Sequence, residues 1–323
     1  MIGGYLVTVQ EDESGVRLDR WFKRHFSDVS HAGISRLVRT GQIRVDGARV
    51  QTGYRLEVGQ KIRIPPLRQA TSQKQKKSFV VDPKEESYLL ETILHVDDAV
   101  IAINKPQGLA VQGGTGLSRH LDAMLDALRL SACERPRLVH RLDKDTGGVM
   151  VLARNVKSAA ILAEAFRLRQ VKKRYWALVC GAPSDSSGEI DIPLRKIRGR
   201  SGERVMPLAL GRAAKTEYFV VDKASNGISW LVLMPTTGRT HQIRAHCATI
   251  GFPVLGDRKY NRVGKKCDID GNSIETLCLH SRQITLPHPE GGTLDVVAPL
   301  SDTLRNTWKS VGFDPETIGG AIK

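Results

Sequence analysis

This sequence of 323 residues has few aromatic residues, few cysteines and no long apolar run. Because no apolar stretch approaches the ~20 residues that span a bilayer, we expect no transmembrane helix. The first ten residues also lack the basic start and apolar core of a secretory signal. The five cysteines are scattered without a C-x-x-C pair. Their spacing disfavours a metal site or a disulfide framework and favours reduced thiols in a cytoplasmic protein.

Positive charge is what the sequence has in excess. Lysine and arginine number 49 against 34 acidic residues, a formal charge of +15. A chain this basic is expected to bind a polyanion, most simply a nucleic acid. A membrane surface would also satisfy the charge, but no basic helix with a strongly apolar face is present, so we expect no membrane binding. Residues 1–78 hold 15 basic against 7 acidic residues and so carry over half of the excess.

The first part of the chain has the pattern of a small basic domain. Apolar residues at helical spacing predict a helix that begins at Arg17, and a second short helix should end before Gly41. Asp46-Gly47 is a turn signal between two alternating segments, which predicts a hairpin. We therefore predict two helices and a hairpin over residues 1–66. Four arginines should lie on its solvent side, namely Arg36, Arg39, Arg44 and Arg49.

Two prolines end this pattern, and a polar, basic segment without periodicity follows, so we expect a flexible linker over residues 67–87. From residue 88 the sequence predicts many short strands and few helices. The predicted strands are 99–104, 149–153, 175–180, 217–221, 229–234, 283–286 and 293–297. The predicted helices are 118–130, 155–169 with Asn155 as its cap, and 240–250 closed by Gly251. Strands joined mostly by loops predict an α+β domain over residues 88–323, built around a mixed, largely antiparallel sheet.

The stretch with the most chemistry is His-Arg-Leu-Asp-Lys-Asp-Thr-Gly-Gly at residues 140–148. It places Asp143 between a basic dipeptide and a glycine-bearing turn, directly before an apolar strand. Neighbouring cations favour the ionised form of a carboxyl group, and an ionised carboxylate is what a nucleophilic aspartate requires. The alternative is an ordinary Arg–Asp pair that closes a loop over a strand.

Three further stretches combine charged, aromatic and glycine residues. Residues 104–108 (Asn-Lys-Pro-Gln-Gly) follow an apolar strand, where an ordinary turn would also explain them. At residues 172–176 three cations and an aromatic begin a strand, so Tyr175 either stacks a base or joins the core. At residues 237–246 arginines flank a helix start, which attracts anions. One of them could pair with a carboxylate such as Asp143 or only hold the helix down.

Together these stretches resemble the signature set of the RluA/RluC/RluD family of RNA pseudouridine synthases. The resemblance covers roughly residues 88 to 300, in the family's order. The matching segments are residues 104–108, 140–148, 173–175, 214–218, 238–246, 255–260, 279–280 and 286–289. The first domain resembles the small RNA-binding module shared by a small-subunit ribosomal protein and tyrosyl-tRNA synthetase. The combination most resembles the RluC type, which acts on large-subunit ribosomal RNA.

The resemblance implies roles for several residues. Asp143 would be the catalytic carboxylate, Arg244 the arginine that pairs with it, and Tyr175 the residue that packs against the target base. Arg141 would enter the space left by the flipped uridine. Binding to RNA would also involve further residues, namely His140, Lys105, Lys173, Arg36, Arg39 and Arg44. Of these, His140 and Lys105 are expected to support the motif or touch the backbone.

One position departs from the family pattern, because Gly147 stands where the family usually has serine. We expect a lost hydroxyl contact and a relaxed turn, with activity retained. The implied reaction converts uridine to pseudouridine without gaining or losing atoms, so no cofactor and no metal is expected. The expected partner is large-subunit (23S) ribosomal RNA, and we expect a monomer. Two alternatives remain open, a ribosome-assembly protein that binds RNA without needing catalysis and a tRNA pseudouridine synthase.

Overall fold

The computed structural model describes residues 4–26, 29–67, 82–114, 117, 119–199, 202–261, 268–269 and 272–316. The chain divides into two compact units, Met1–Ser78 and Phe79–Lys323. The helices are α1 (Leu18–His25), α2 (His31–Arg39), α3 (Pro83–Glu91), α4 (Leu121–Met124), α5 (Val156–Arg167), α6 (Gln242–Thr249) and α7 (Asp302–Ser310). No described helix is both long enough and apolar enough to cross a membrane.

The first unit contains a three-stranded sheet in the order β1 (Tyr5–Thr8), β3 (Lys61–Ile64), β2 (Arg44–Val45). The two helices predicted for it are confirmed, and the Ser30 hydroxyl caps the second by accepting from Gly33 N–H at 3.1 Å. The turn signal at Asp46-Gly47 is confirmed by positive φ at both residues. The first strand was not predicted. It pairs with β3 and helps to enclose a core that includes Trp21 and Phe22.

The second unit is built on one ten-stranded sheet. Its strands are β4 (Ile93–Val96), β5 (Val100–Lys105), β6 (Arg137–Leu138), β7 (Gly147–Ala153), β8 (Lys172–Cys180), β9 (Ser187–Asp191), β12 (Lys215–Lys223), β13 (Ile228–Pro235), β16 (Leu279–Pro287) and β17 (Thr293–Val297). Two separate hairpins are formed by β10 (Leu194–Gly199) with β11 (Gly202–Pro207) and by β14 (Asp268–Ile269) with β15 (Asn272–Ser273).

The sheet follows the order β4-β5-β7-β16-β8-β13-β12-β9, with β17 beside β16 and β6 beside β7. Among the described pairs only β7 and β16 run parallel. The predicted α+β fold around a mixed, largely antiparallel sheet is therefore confirmed. All seven residues of β7 are buried, because this central strand is covered on both faces and so reads as a continuous apolar run.

Helix predictions succeeded where a cap and a regular apolar stripe coincide. The Asn155 side chain accepts from Ser158 N–H at 2.8 Å and begins α5 as predicted. The long helix predicted over 118–130 is wrong, since the chain forms short α4 and then a 3-10 segment, Leu125–Arg129. Helices α3 and α7 were not predicted.

The predicted linker is wrong at its end. Residues 83–87 belong to α3, whose first turn has Pro83 and an Asp82 cap that accepts from Lys84 N–H at 3.0 Å. Residues 68–81 of the predicted linker lie outside the described residues.

The close approach of β7 to β16 positions the functional residues. Gly148 has φ of +110°, and a Cβ there would lie 2.2 Å from the Ser281 carbonyl oxygen. Only glycine therefore permits this parallel pairing. The loop before β7, residues 139–146, thus lies at the middle of the sheet, with β16 separating β7 from β8.

Candidate active site

A cavity of about 620 Å³ lies at this place in the second unit. We call it the Asp143 cavity. Six of the predicted site residues line it, namely His140, Arg141, Asp143, Lys173, Tyr175 and Arg244. Residues from the loop over 139–146, the start of β8 and the start of α6 therefore converge, although they are up to about a hundred positions apart in the chain.

Asp143 is the only carboxylate among the described residues that line the cavity. Six arginine and lysine side chains share the lining, namely Arg141, Arg167, Arg169, Lys173, Arg239 and Arg244. The Asp143 side chain is 22% exposed, and its Oδ2 lies 4.0 Å from His241 Nε2. A cavity whose charged lining residues are mainly cations attracts an anionic ligand, and Asp143 is accessible to whatever enters it.

Lys105 holds the loop that carries Asp143. Its ammonium group donates to the carbonyl oxygens of Pro106 (2.8 Å), Leu109 (2.8 Å) and Lys144 (3.2 Å). The side chain is only 1% exposed, and burial lowers its pKa to about 8. Of the two roles expected for Lys105, these bonds match support of the motif rather than contact with RNA. A buried ammonium must be satisfied by nearby oxygens, and here those oxygens include a carbonyl of the Asp143 loop.

The Gln107 side chain also hydrogen bonds to the loop that carries Asp143. Its amide nitrogen donates to Asp145 O at 2.9 Å and to Leu277 O at 2.8 Å. Gly108 N–H adds a bond to Lys144 O at 2.9 Å. Residues 104–108, which we call the clamp segment, thus bind the two carbonyls that directly follow Asp143 in the chain.

Gly147 is packed against the clamp segment. A Cβ at this position would lie 2.9 Å from Gln107 Cγ and 3.2 Å from the Lys105 carbonyl oxygen. The Gln107 side chain thus fills the space that a larger residue at position 147 would need.

Arg244 binds a different carboxylate from the one predicted. Its Nε and Nη2 donate to Asp257 Oδ2 and Oδ1 at 2.7 and 2.8 Å, and both side chains are buried. Burial alone would lower the pKa of Arg244, but the hydrogen bonds and charge of Asp257 raise it, with a further contribution from Asp143. The expected direct pair with Asp143 is therefore wrong. Arg244 faces Asp143 as a fixed charge whose bidentate bonds go elsewhere.

His241 was not predicted as a site residue, yet it is the basic group that the structure places at Asp143. It has φ of +50° at the start of α6. Its Nδ1 lies 2.9 Å from the Tyr260 hydroxyl, which accepts from Val205 N–H at 3.0 Å. Burial lowers the His241 pKa, while the charge of Asp143 opposes that shift. The bond to Tyr260 favours the tautomer with hydrogen on Nε2, toward Asp143.

Tyr175 lies in the cavity wall on β8 and is half-buried. Its hydroxyl shares a hydrogen bond with Ser281 on β16. Burial raises the pKa of Tyr175 to about 12, and the charge of Asp143 also raises it. The hydroxyl therefore stays protonated at neutral pH, and the ring offers a flat apolar surface to a ligand.

His140 and Lys173 differ in what they offer a ligand. His140 Nε2 accepts from Val151 N–H at 2.8 Å, and the ring stacks on Phe166 with 4.7 Å between centroids. Burial lowers the pKa of His140 to about 3, so the ring is neutral and supports the wall. Lys173 donates to Thr237 O at 3.4 Å, and burial lowers its pKa to about 8.

The predicted arginines of the first unit are on its own surface. Arg36 and Arg39 of α2 are exposed. Arg44 is half-buried and donates to Gly41 O (3.2 Å) and Gly47 O (3.1 Å), so it also stabilises the turn.

In the second unit no described group of three His, Cys, Asp or Glu residues could hold a metal ion.

Comparison with known proteins agrees with this geometry. Residues 99–249 match the family described as RNA pseudouridylate synthase. The chain is 34% identical over 309 residues to ribosomal large subunit pseudouridine synthase C of Buchnera aphidicola subsp. Schizaphis graminum, with 93% of this chain and 95% of that protein covered. It is 35% identical to the protein of the same name from Yersinia pestis, with 93% of each covered.

A solved structure is similar as well. Human RNA Pseudouridylate Synthase Domain Containing 4 aligns with a TM-score of 0.60 at 30% identity, covering 70% of this chain and 95% of that chain. The matched family region contains the whole loop with Asp143, the Tyr175 strand and the start of α6.

Proposed function

This chain belongs to the RluA/RluC/RluD family of RNA pseudouridine synthases, and from that premise we propose that it isomerises specific uridines of large-subunit ribosomal RNA to pseudouridine. The relatives named above are ribosomal large subunit pseudouridine synthases that match along nearly their whole length. The basic first unit supports an extended RNA over a small ligand. We propose that it serves as an RNA-binding module like that of a small-subunit ribosomal protein, and that the enzyme acts in the cytoplasm as a monomer.

The observation that carries the proposal is the isolation of Asp143. It is the only carboxylate in the described lining of a cavity that holds six arginine and lysine side chains. Cations of this density attract the phosphates of RNA. One carboxylate without a bidentate partner is then free to react with the nucleotide that enters.

The proposed reaction conserves all atoms. The bond between N1 of uracil and C1′ of ribose breaks, the uracil rotates, and a bond forms between C5 and C1′. The hydrogen on C5 leaves as a proton, and N1 gains one. Asp143 serves either as the nucleophile toward ribose or base or as the base of an elimination, since both routes need an ionised carboxylate at this position.

The neighbouring residues support that carboxylate in different ways. We assign to Tyr175 the packing surface for the target base, with a protonated hydroxyl as hydrogen-bond donor. Arg141 is exposed and lines the cavity, which suits a residue that fills the gap left by a flipped uridine. Flipping costs a few kcal/mol, so a side chain that replaces the lost stacking favours the flipped state.

The test is the variant Asp143→Asn with RNA labelled with tritium at C5 of uridine. We expect tritium release by the unaltered protein and none by the variant, while binding of the same RNA stays within about threefold, because the two side chains have nearly the same shape. Release by Asp143→Asn at the rate of the unaltered protein would disprove the catalytic assignment. Absence of release by either protein would favour a ribosome-assembly protein that only binds RNA.

The substrate is tested separately. Pseudouridines are mapped in ribosomal and transfer RNA from cells with and without the gene. Loss of specific sites from large-subunit RNA is the expected result, and loss confined to transfer RNA would overturn the substrate assignment while leaving the reaction intact.

A further inference from the structure

Three arginines from three separate elements gather at one side of the Asp143 cavity. Arg169 follows α5, Arg239 precedes α6, and both line the cavity. Arg239 Nε donates to Ala213 O at 3.1 Å, which places it beside Arg212 in the loop after β11. Burial lowers the pKa of Arg239, and the positive charges of Arg212 and Arg169 lower it further. We call these three residues the arginine cluster.

No described carboxylate neutralises the cluster. Within the described ranges, none of its three members forms an ion pair with a carboxylate, whereas the neighbouring Arg167 binds Glu164 through both Nε and Nη2. Like charges held close together repel one another. A protein surface normally relieves this repulsion with interspersed acidic residues, and an anion from outside would therefore stabilise the arrangement.

The backbone also presents Arg169 in an uncommon way. Its φ is +60°, the left-handed conformation in which glycine usually ends a helix. The bonds Arg169 N–H to Phe166 O (3.3 Å) and Gln170 N–H to Ala165 O (3.0 Å) stabilise this turn. A side chain with a positive charge thus occupies the end of α5, at the edge of the cavity.

Building on the proposed function, we propose that Arg169, Arg212 and Arg239 form a binding site for a backbone phosphate of the RNA strand beside the nucleotide that enters the cavity. Guanidinium groups bind phosphodiesters through paired N–H donors. A nucleotide whose base reaches Asp143 carries its flanking phosphates close to the cavity, and Arg169 and Arg239 of the cluster line that cavity. Such a contact would set the position of the strand without selecting its sequence.

The experiment measures the salt dependence of RNA binding for Arg169→Gln, Arg212→Gln and Arg239→Gln. Fluorescein-labelled poly(U) and poly(A) strands of 20 nucleotides are titrated with the full-length proteins at several KCl concentrations. For each variant we expect about tenfold weaker binding at 0.1 M KCl. The slope of log affinity against log salt should fall by about 0.7, the value for one lost phosphate contact on a single strand.

Arg129→Gln is the control, because this arginine lies outside the lining of the cavity and its charge is already paired with Asp126. Its salt slope should stay within error of the unaltered protein. Arg212 is exposed, so Arg212→Gln tests the site even if Arg239→Gln, which loses the bond to Ala213, proves unstable by thermal unfolding.

Two results would overturn the proposal. Unchanged slopes for all three variants would show that the cluster does not contact phosphate. A loss of affinity seen with poly(U) and absent with poly(A) would show that the cluster contacts a base instead of a phosphate. Because these titrations need no turnover, their outcome is independent of the tritium assay, so failure of the phosphate site and failure of the proposed reaction are distinguished.

Discussion

The two walls of the Asp143 cavity are held by different interactions. The loop wall, residues 139–146, is held by hydrogen bonds from Lys105 and Gln107 to backbone carbonyls. The helix wall, residues 235–244, is held by the buried ion pair of Arg244 with Asp257. The loop wall therefore uses no carboxylate near Asp143, and in the helix wall Arg244 is paired with Asp257, which does not line the cavity. This division leaves Asp143 without a bidentate partner among the described residues.

The largest expected effect comes from breaking the helix wall. Asp257→Asn leaves the Arg244 charge buried without a counter-charge, which should lower the free energy of unfolding by about 3–5 kcal/mol. Urea denaturation measures it. Asp126→Asn is the control, since this exposed carboxylate pairs with Arg129 and Arg135 on the surface and should cost at most about 1 kcal/mol. Equal effects of the two variants would mean that the buried pair does not hold the wall.

We expect that breaking the loop wall lowers the free energy of unfolding less, and the rate of turnover more, than breaking the helix wall. Lys105→Met keeps the volume of the side chain but removes the donor to three carbonyl oxygens, of which Lys144 O keeps the bond from Gly108 N–H, and this should cost about 2 kcal/mol. Because the Lys144 carbonyl follows Asp143 directly, we expect kcat to fall while KM changes little. Lys157→Met, an exposed lysine at the start of α5, is the control. A Lys105→Met enzyme with unchanged kcat would show that the clamp does not position Asp143.

The loop wall should also weaken in acid. Above pH 6.5 His140 is neutral in both the folded and the unfolded chain. Below pH 6.5 the His140 side chain of the unfolded chain becomes protonated, whereas in the folded chain it stays neutral until the pH approaches its pKa of about 3. Stability from this group is therefore lost by about 1.4 kcal/mol per unit as pH falls from 6.5 toward 3.

His140→Gln removes this titration. The stability difference between the unaltered protein and the variant should shrink by about 1 kcal/mol between pH 6.5 and pH 5.5 in urea denaturation, because at pH 6.5 half of the unfolded chains already carry the proton. A difference that stays constant over that range would contradict the neutral role of His140.

The smallest expected change in stability tests the fit of Gly147 to Gln107. Gly147→Ser introduces the residue usual in the family, whose Cβ would lie 2.9 Å from Gln107 Cγ. We expect a loss of about 1 kcal/mol and roughly tenfold lower kcat, because a small displacement of the Asp143 loop is costly for catalysis. In a Gln107→Ala background the same change should have little further effect. Additive effects of the two substitutions would refute the steric coupling.

The elements that could be predicted from the sequence have local causes. The Asn155 cap and the Asp46-Gly47 turn depend on residues a few positions apart. The ends of the 118–130 helix were mispredicted because the apolar pattern persists where the chain turns into a 3-10 segment. Strand β9 was missed because it alternates weakly, and it is stabilised by pairing with β12 far along the chain.

The same limit applies to the candidate site. Asp143, Tyr175 and Arg244 could be identified from their motifs, and the structure brings them to one cavity. The partner of Arg244 could not be identified from the sequence. Asp143 and Asp257 are both carboxylates in glycine-containing segments, and only the fold decides which of them accepts from Nε and Nη2 of Arg244. His241 could have been identified as a site residue from its place in the helix-start stretch at residues 237–246.

By itself the sequence determined the kinds of element, the excess of positive charge and the family to which the chain belongs, because these depend on residue identity and short spacing. Tertiary structure alone decided which charges are neutralised. Arg244 is paired and buried, Lys105 is enclosed by carbonyls, and the arginine cluster forms no ion pair with a described carboxylate. Pairing and burial depend on distances between residues far apart in the chain, and folding sets those distances.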